Sequence, residues 1–119
     1  MSPAVAEKSK PRVILGLMTF NPESGARVTD VNEFGEFLDL LQARGYNEVD
    51  TARVYGNGTQ EAFTREAKWK ERGLTLATKV KYPSTPGENV HDKVIESVET
   101  SLKELGTESV DILYLHAAV

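Results

Sequence analysis

Apolar positions along the chain follow two rhythms that take turns. Residues 12–20, "RVILGLMTF", are continuously apolar with β-branched members and stop at Asn21-Pro22, which predicts a strand and then a loop through Gly25. From Asp30 the rhythm becomes helical. Val31, Phe34, Leu38 and Leu41 recur on one face, Asp30 is placed to cap with Glu33 three residues on, and Gly45 is the stop. "YNEVDTA" reads as a short strand. Thr59 is expected to cap a second helix ending at Gly73, with Ala62, Phe63 and Ala67 inward. Its charged run "REAKWKERG" reads as a solvated face with Trp69 at the edge. "LTLATKV" is a third strand and "PSTPGEN" a loop. A long third helix is predicted from about Asn89 to Leu105, its inner stripe formed by Val90, Val94, Ile95, Val98, Leu102 and Leu105. His91 falls outside that stripe and is expected in solvent. "SVDILYLH" is the last strand.

The order is therefore β-α-β-α-β-α-β, with strand ends near residues 19, 50, 79 and 116. Strands repeating at such intervals with helices between them imply parallel pairing. Doubly wound sheets and (β/α)8 barrels both begin this way. No strand here leads into a GxGxxG turn, which speaks against a dinucleotide-binding Rossmann unit. In "LTLATKV", Leu74, Leu76, Thr78 and Val80 alternate with the smaller or polar Thr75, Ala77 and Lys79. In the last strand His116 shares a face with Ile112 and Tyr114. A barrel interior accepts polar groups at its C-terminal mouth, where the active sites of such barrels lie. The fold expected is α/β, a partial (β/α)8 barrel.

Asp50, Lys79 and His116 then stand at or near the ends of three successive strands, and Tyr55 lies in the loop just past the first. Adjacent strands are about 4.8 Å apart, so side chains sharing a face converge. Taken singly, each has a plainer reading: a turn residue, a loop aromatic, a rim charge, a histidine close to the end of the sequence. Together they form a chemical set. A phenol is a poor acid at neutral pH, and a neighbouring ammonium makes it a better one by favouring the phenolate. Lys79 supplies that ammonium, Asp50 its counter-charge, and His116 a further donor to a substrate oxygen. No nucleophile is evident. The set suits protonating an oxygen that gains negative charge, as in carbonyl reduction with the hydride supplied by a cofactor.

Composition narrows the alternatives. Of 119 residues, 18 are acidic and 14 basic, a net charge of −4 that argues against a nucleic-acid binder. There is no cysteine, which excludes disulfides, thiolate metal sites and a thiol nucleophile. No apolar run approaches the ~20 residues of a membrane span. "MSPAVAEKSKPR" lacks the apolar segment of a secretory signal. Residues 1–11 are expected to be a flexible leader, residues 12–119 the folded unit, and the setting the cytoplasm.

The stretches "VILGLMTF", "GYNEVDTARVYGNGTQE", "LATKVKYP" and "SVETSLKELGTESVDILYLH" resemble the first half of an aldo-keto reductase, most of all the aflatoxin-aldehyde reductase subgroup. The resemblance implies a catalytic tetrad of Asp50, Tyr55, Lys79 and His116. Tyr55 would be the proton donor, Lys79 its assistant held by Asp50, and His116 the residue orienting the carbonyl. It implies NADPH as cofactor, with Met18, Thr19 and Asp50 on the nicotinamide side, and a small-molecule carbonyl as substrate. Phe63-Thr64 depart from the Leu or Ile followed by Gly usual in the family, which touches helix packing rather than the tetrad.

A full family member has eight βα units, and this sequence holds three and a fourth strand. A truncated reductase, self-associating through exposed barrel edges, is the expectation. The alternative is a noncatalytic half-barrel or binding module acting through a partner, as channel β-subunits of the family do. A barrel lyase using Lys79 as a Schiff base explains Tyr55 and Asp50 less economically.

Overall fold

Four short strands alternate with three helices in the computed structural model, which describes residues 11–81, 87 and 89–116. The strands are β1 (Ile14–Gly16), β2 (Glu48–Asp50), β3 (Thr75–Lys81) and β4 (Ile112–His116). The helices are α1 (Val31–Ala43), α2 (Gln60–Glu66) and α3 (Val90–Leu105), with a tight turn over Tyr55–Gly58 before α2. The predicted leader lies, Pro11 apart, outside the described residues, as does most of the loop at 83–89.

All strands pair in parallel and lie in the order β1-β2-β3-β4. Right-handed crossovers between strands laid down in sequence put every helix on one face. A doubly wound sheet would reverse its order partway. The architecture is thus part of a (β/α)8 barrel, as the strand faces predicted. Pairing is staggered. Gly16 lies opposite Asp50 and Asp50 opposite Ala77, so Lys79 is two residues further along. Lys79 lies opposite Tyr114, so His116 is two residues further again. Even steps keep all three on one face, and the stagger is the shear that barrel closure requires.

The core lies between the sheet and its helices. Leu17, Val49, Leu76, Phe34 and Leu38 are almost fully buried there, with Phe63 stacked on Phe34 at 5.3 Å between ring centroids. Helix α1 forms much as predicted. The Asp30 carboxylate accepts from the Asn32 N–H at 2.7 Å. At the other end Gly45, at φ 82°, lets the Gly45 and Tyr46 N–H groups reach back to Gln42 and Leu41.

Four expectations need correction. The second helix ends at Glu66, not Gly73. Lys68 takes a left-handed conformation at φ 64°, and the chain beyond it carries Trp69 inward. That indole is buried, and its Nε1 donates to the Leu105 carbonyl oxygen at 3.0 Å. Burying a side chain that large outweighs about 1–2 kcal/mol for one left-handed residue. The face called solvated therefore contains a core residue. Thr59 does not cap α2 through its side chain; its hydroxyl donates back to the Gly56 carbonyl oxygen at 2.6 Å. Helix α3 keeps its predicted bounds and the Asn89 cap, but buries Ser97, Ser101 and Leu105 while Val90 and Ile95 are exposed. Small residues let the helix approach β3 closely, and the Ser97 hydroxyl oxygen accepts from the Lys81 N–H at 3.1 Å.

Candidate active site

The C-terminal ends of β2, β3 and β4 form one rim, and the predicted polar residues stand on it. On β3, Leu76, Thr78 and Val80 are buried toward the helices. Strict alternation then sends Lys79 to the opposite, inner face. Its ammonium donates to the Asp50 carboxylate at 2.8 Å, the Thr51 carbonyl oxygen at 3.0 Å and the Tyr55 hydroxyl oxygen at 3.1 Å. These three contacts match the three donors of an ammonium. Burial acts to lower the Lys79 pKa and is the largest single influence. The hydrogen bonds to Asp50 and Tyr55, with their charges, together raise it above the ordinary lysine value. Lys79 therefore stays a cation at neutral pH.

Tyr55 comes from the loop after β2. The loop folds over the rim because Gly56, Asn57 and Gly58 take positive φ values of 60°, 55° and 88° in succession. Gly56 is fixed by space as well as by φ. A Cβ there would lie 2.7 Å from Asn21 Cγ. His116, at the end of β4, meets the Tyr55 ring edge-on, with centroids 5.9 Å apart at 86°. The structure thus brings Asp50, Tyr55, Lys79 and His116 together.

Met18 and Thr19 occupy the turn immediately past β1. The Leu17 N–H donates to the Asp50 carbonyl oxygen at 2.9 Å, so this turn begins beside Asp50. Met18 is largely exposed and Thr19 half-buried. Both line an open cleft of about 440 Å³ between the 18–26 loop and residues 54–57, with Tyr55 on its wall.

Several partners of this rim escaped sequence reasoning. The Thr51 carbonyl that takes one Lys79 proton is a backbone group, invisible to a search by residue type. Beneath the rim Thr51, Gln60 and Thr64 form a buried hydrogen-bonded cluster, and beside it the Glu61 carboxylate pairs with the Arg53 guanidinium and accepts from the Thr78 hydroxyl. Arg53 and Glu61 both lie in the stretch "VDTARVYGNGTQE". Only the folded turn brings them together, so no helical or strand spacing announced them.

The model of the aldo/keto reductase family matches residues 12–119. Among curated relatives, an aldo-keto reductase of Pseudocercospora fijiensis is 45% identical over 82 residues, covering 66% of this chain and 28% of that protein. Human aflatoxin B1 aldehyde reductase member 4 is 30% identical over 113 residues, covering 92% of this chain and 33% of its own length. A protein of Arabidopsis thaliana bearing the name "Probable voltage-gated potassium channel subunit beta" is 34% identical, over 85% of this chain and 34% of its own. The chain thus spans about a third of the length of the curated relatives it matches. Among solved structures, an aldo/keto reductase from Klebsiella pneumoniae in complex with NADP and acetate aligns with a TM-score of 0.64 and 26% identity. That alignment covers 89% of this chain and 35% of the other. Among the described residues, no helix is long and apolar enough to cross a membrane.

Proposed function

Since the chain belongs to the aldo/keto reductase family, we propose that its rim carries out the NADPH-dependent reduction of an aldehyde or ketone to an alcohol. The observation that carries this reading is the Lys79 ammonium, bound at once to Asp50 and to the Tyr55 hydroxyl. NADPH, when bound, supplies the hydride. The chain's own residues do the rest. The Tyr55 hydroxyl gives its proton to the carbonyl oxygen as that oxygen gains charge. Lys79, donating to the phenol oxygen, stabilises the charge left there, and Asp50 holds Lys79 in place. His116, at the edge of the Tyr55 ring, orients the carbonyl.

The residues fit the nicotinamide end of such a cofactor. Met18 and Thr19 line an open cleft against Tyr55, and Asp50 lies beside the start of their turn. The unit doing this work is residues 12–119, and the setting proposed is the cytoplasm.

Tyr55→Phe tests the reading. It removes the proton donor and almost no volume. General acid catalysis contributes about 10²–10⁴-fold, so kcat falls by that order while NADPH binding stays. Near-normal turnover by this variant removes Tyr55 from the role.

The second reading, a noncatalytic half-barrel or binding module acting through a partner, has its own observation. Leu113, Tyr114 and Leu115 on β4 and Ile14 on β1 are about half exposed, on strands that pair along one side only among the described residues. Unpaired apolar edges invite strand addition. Catalysis distinguishes the two, since the edges allow self-association under either. Reduction of a carbonyl with NADPH removes the second reading, and a barrel completed to eight βα units that binds no NADPH and reduces no carbonyl removes the first.

A further inference from the structure

Arg53 lies between Asp50 and Tyr55 in sequence, and it ties several segments together. Its N–H donates to the Lys79 carbonyl oxygen at 2.9 Å, joining the start of the Tyr55 loop to β3. Its guanidinium is 12% exposed and meets the fully buried Glu61 carboxylate, Nη1 to Oε1 at 2.7 Å. That approach is an ion pair without hydrogen-bond alignment. Arg53 Nη2 donates to the Gly58 carbonyl oxygen, the far end of the turn. The other Glu61 oxygen accepts from the Thr78 hydroxyl at 2.7 Å, and Thr78 is the residue before Lys79. One buried carboxylate therefore joins the segment that carries Tyr55 to the strand that carries Lys79.

A buried ion pair is a poor way to stabilise a fold, because desolvation cancels much of the attraction. Its better-attested use is to specify one arrangement among several. The turn here needs specifying. Of three consecutive residues at positive φ, Gly56 and Gly58 take it freely, whereas Asn57 is a non-glycine in the left-handed region and is held there by its surroundings. The Arg53 bond to Gly58, the Thr59 bond to Gly56 and the packing of Asn21 under Gly56 are those surroundings.

We propose that Arg53 and Glu61 are positioning residues, their buried pair setting how the Tyr55 loop sits over β3 and hence the reach from the Tyr55 hydroxyl to the Lys79 ammonium. The catalytic consequence rests on the reductase reading above; the geometric one does not.

The test uses the 119-residue chain and two readouts. The first is the NMR contact between the Lys79 side-chain methylenes and the Tyr55 ring. The second is turnover of benzaldehyde with NADPH. Glu61→Gln keeps shape and drops charge. Arg53→Met drops charge and bonds together, whereas Arg53→Lys keeps the charge. Glu61→Gln and Arg53→Met are expected to lose the Lys79–Tyr55 contact, and Arg53→Lys to recover part of it. A displacement near 1 Å at a reacting group costs about 100-fold, so kcat falls by that order in Glu61→Gln with the KM for NADPH unchanged. Trp69→Phe, which breaks the bond to Leu105 elsewhere in the core, lowers the melting temperature and moves neither readout. A folded Glu61→Gln chain with the contact intact overturns the proposal. Should Glu61→Gln not fold, Arg53→Lys and Thr78→Val, each a milder change, decide it on the same contact. A wild-type chain that keeps the contact but reduces no benzaldehyde counts against the reductase reading, while the contact still decides the positioning.

Discussion

Strands β3 and β4 are paired neighbours with opposite fates. The helix-facing residues of β3, Leu76, Thr78 and Val80, are at most 2% exposed, because α3 packs over the strand and Glu61 of α2 bonds Thr78. On β4, Leu113 and Leu115 take the equivalent outward positions opposite Thr78 and Val80, yet they are 48% and 49% exposed. The exposed pair is, if anything, more apolar than a set that includes Thr78. What differs is a covering element, present over β3 and absent over β4 among the described residues. Burial is thus a property of the neighbourhood, which the residue type anticipates but does not create. The site straddles this divide, with Lys79 on the covered strand and His116 on the uncovered one.

The largest expected effect sharpens this contrast from the covered side. Phe34 is fully buried between Phe20 and Phe63, so Phe34→Ala should cost about 3–5 kcal/mol in urea unfolding. Next comes the matched pair on the two strands. Leu76→Ala is expected to cost about 2–5 kcal/mol. Leu115→Ala should cost about 1 kcal/mol or less, because half of that side chain is already in water. Equal losses at the two positions break the comparison.

Smaller effects are electrostatic and read by pH. The Lys79 pKa is raised in the folded chain, so its pairing adds stability that is fully present below 10.5. That stability is lost as pH rises through the higher folded value. Unfolding curves across alkaline pH should show the loss, and Lys79→Met should flatten it. The smallest effect lies at the opposite end of the sheet. Arg12 grips Glu48 with two hydrogen bonds of 2.8 and 2.6 Å, which lowers the Glu48 pKa. This contribution is present above 4.5, fades as pH falls through the depressed value, and should shrink in salt. Glu48→Gln should remove both dependences.

Much of this molecule was legible where local rules and tertiary demands agree. Asp30, Phe34, Leu38 and Gly45 defined α1 because cap, periodicity and stop all fall where packing wants them. The parity of "LTLATKV" put Lys79 on the inner face because alternation along a strand is fixed by the backbone. Legibility ended where a distant partner decides. Trp69 sits in a run of charges, and only its hydrogen bond to Leu105, 36 residues on, explains why the helix stops short of it. The stripe of α3 was readable as apolar, but which edge of it meets the sheet was set by Ser97 and Ser101, whose smallness is not an apolar signal. Arg53 and Glu61 were hidden for the same reason.

The two-residue stagger from Asp50 to Lys79 to His116 makes the site sensitive to counting rather than to composition. One residue inserted within Thr75–Lys79 would turn Lys79 to the helix side and bring Thr78 to the rim in its stead. Two inserted residues would restore the face but carry the ammonium about 6.6 Å along the strand, beyond Asp50 and Tyr55. Loops of this chain can lengthen without changing that arithmetic. The strands cannot, so length variation compatible with the pocket is confined to the segments between them.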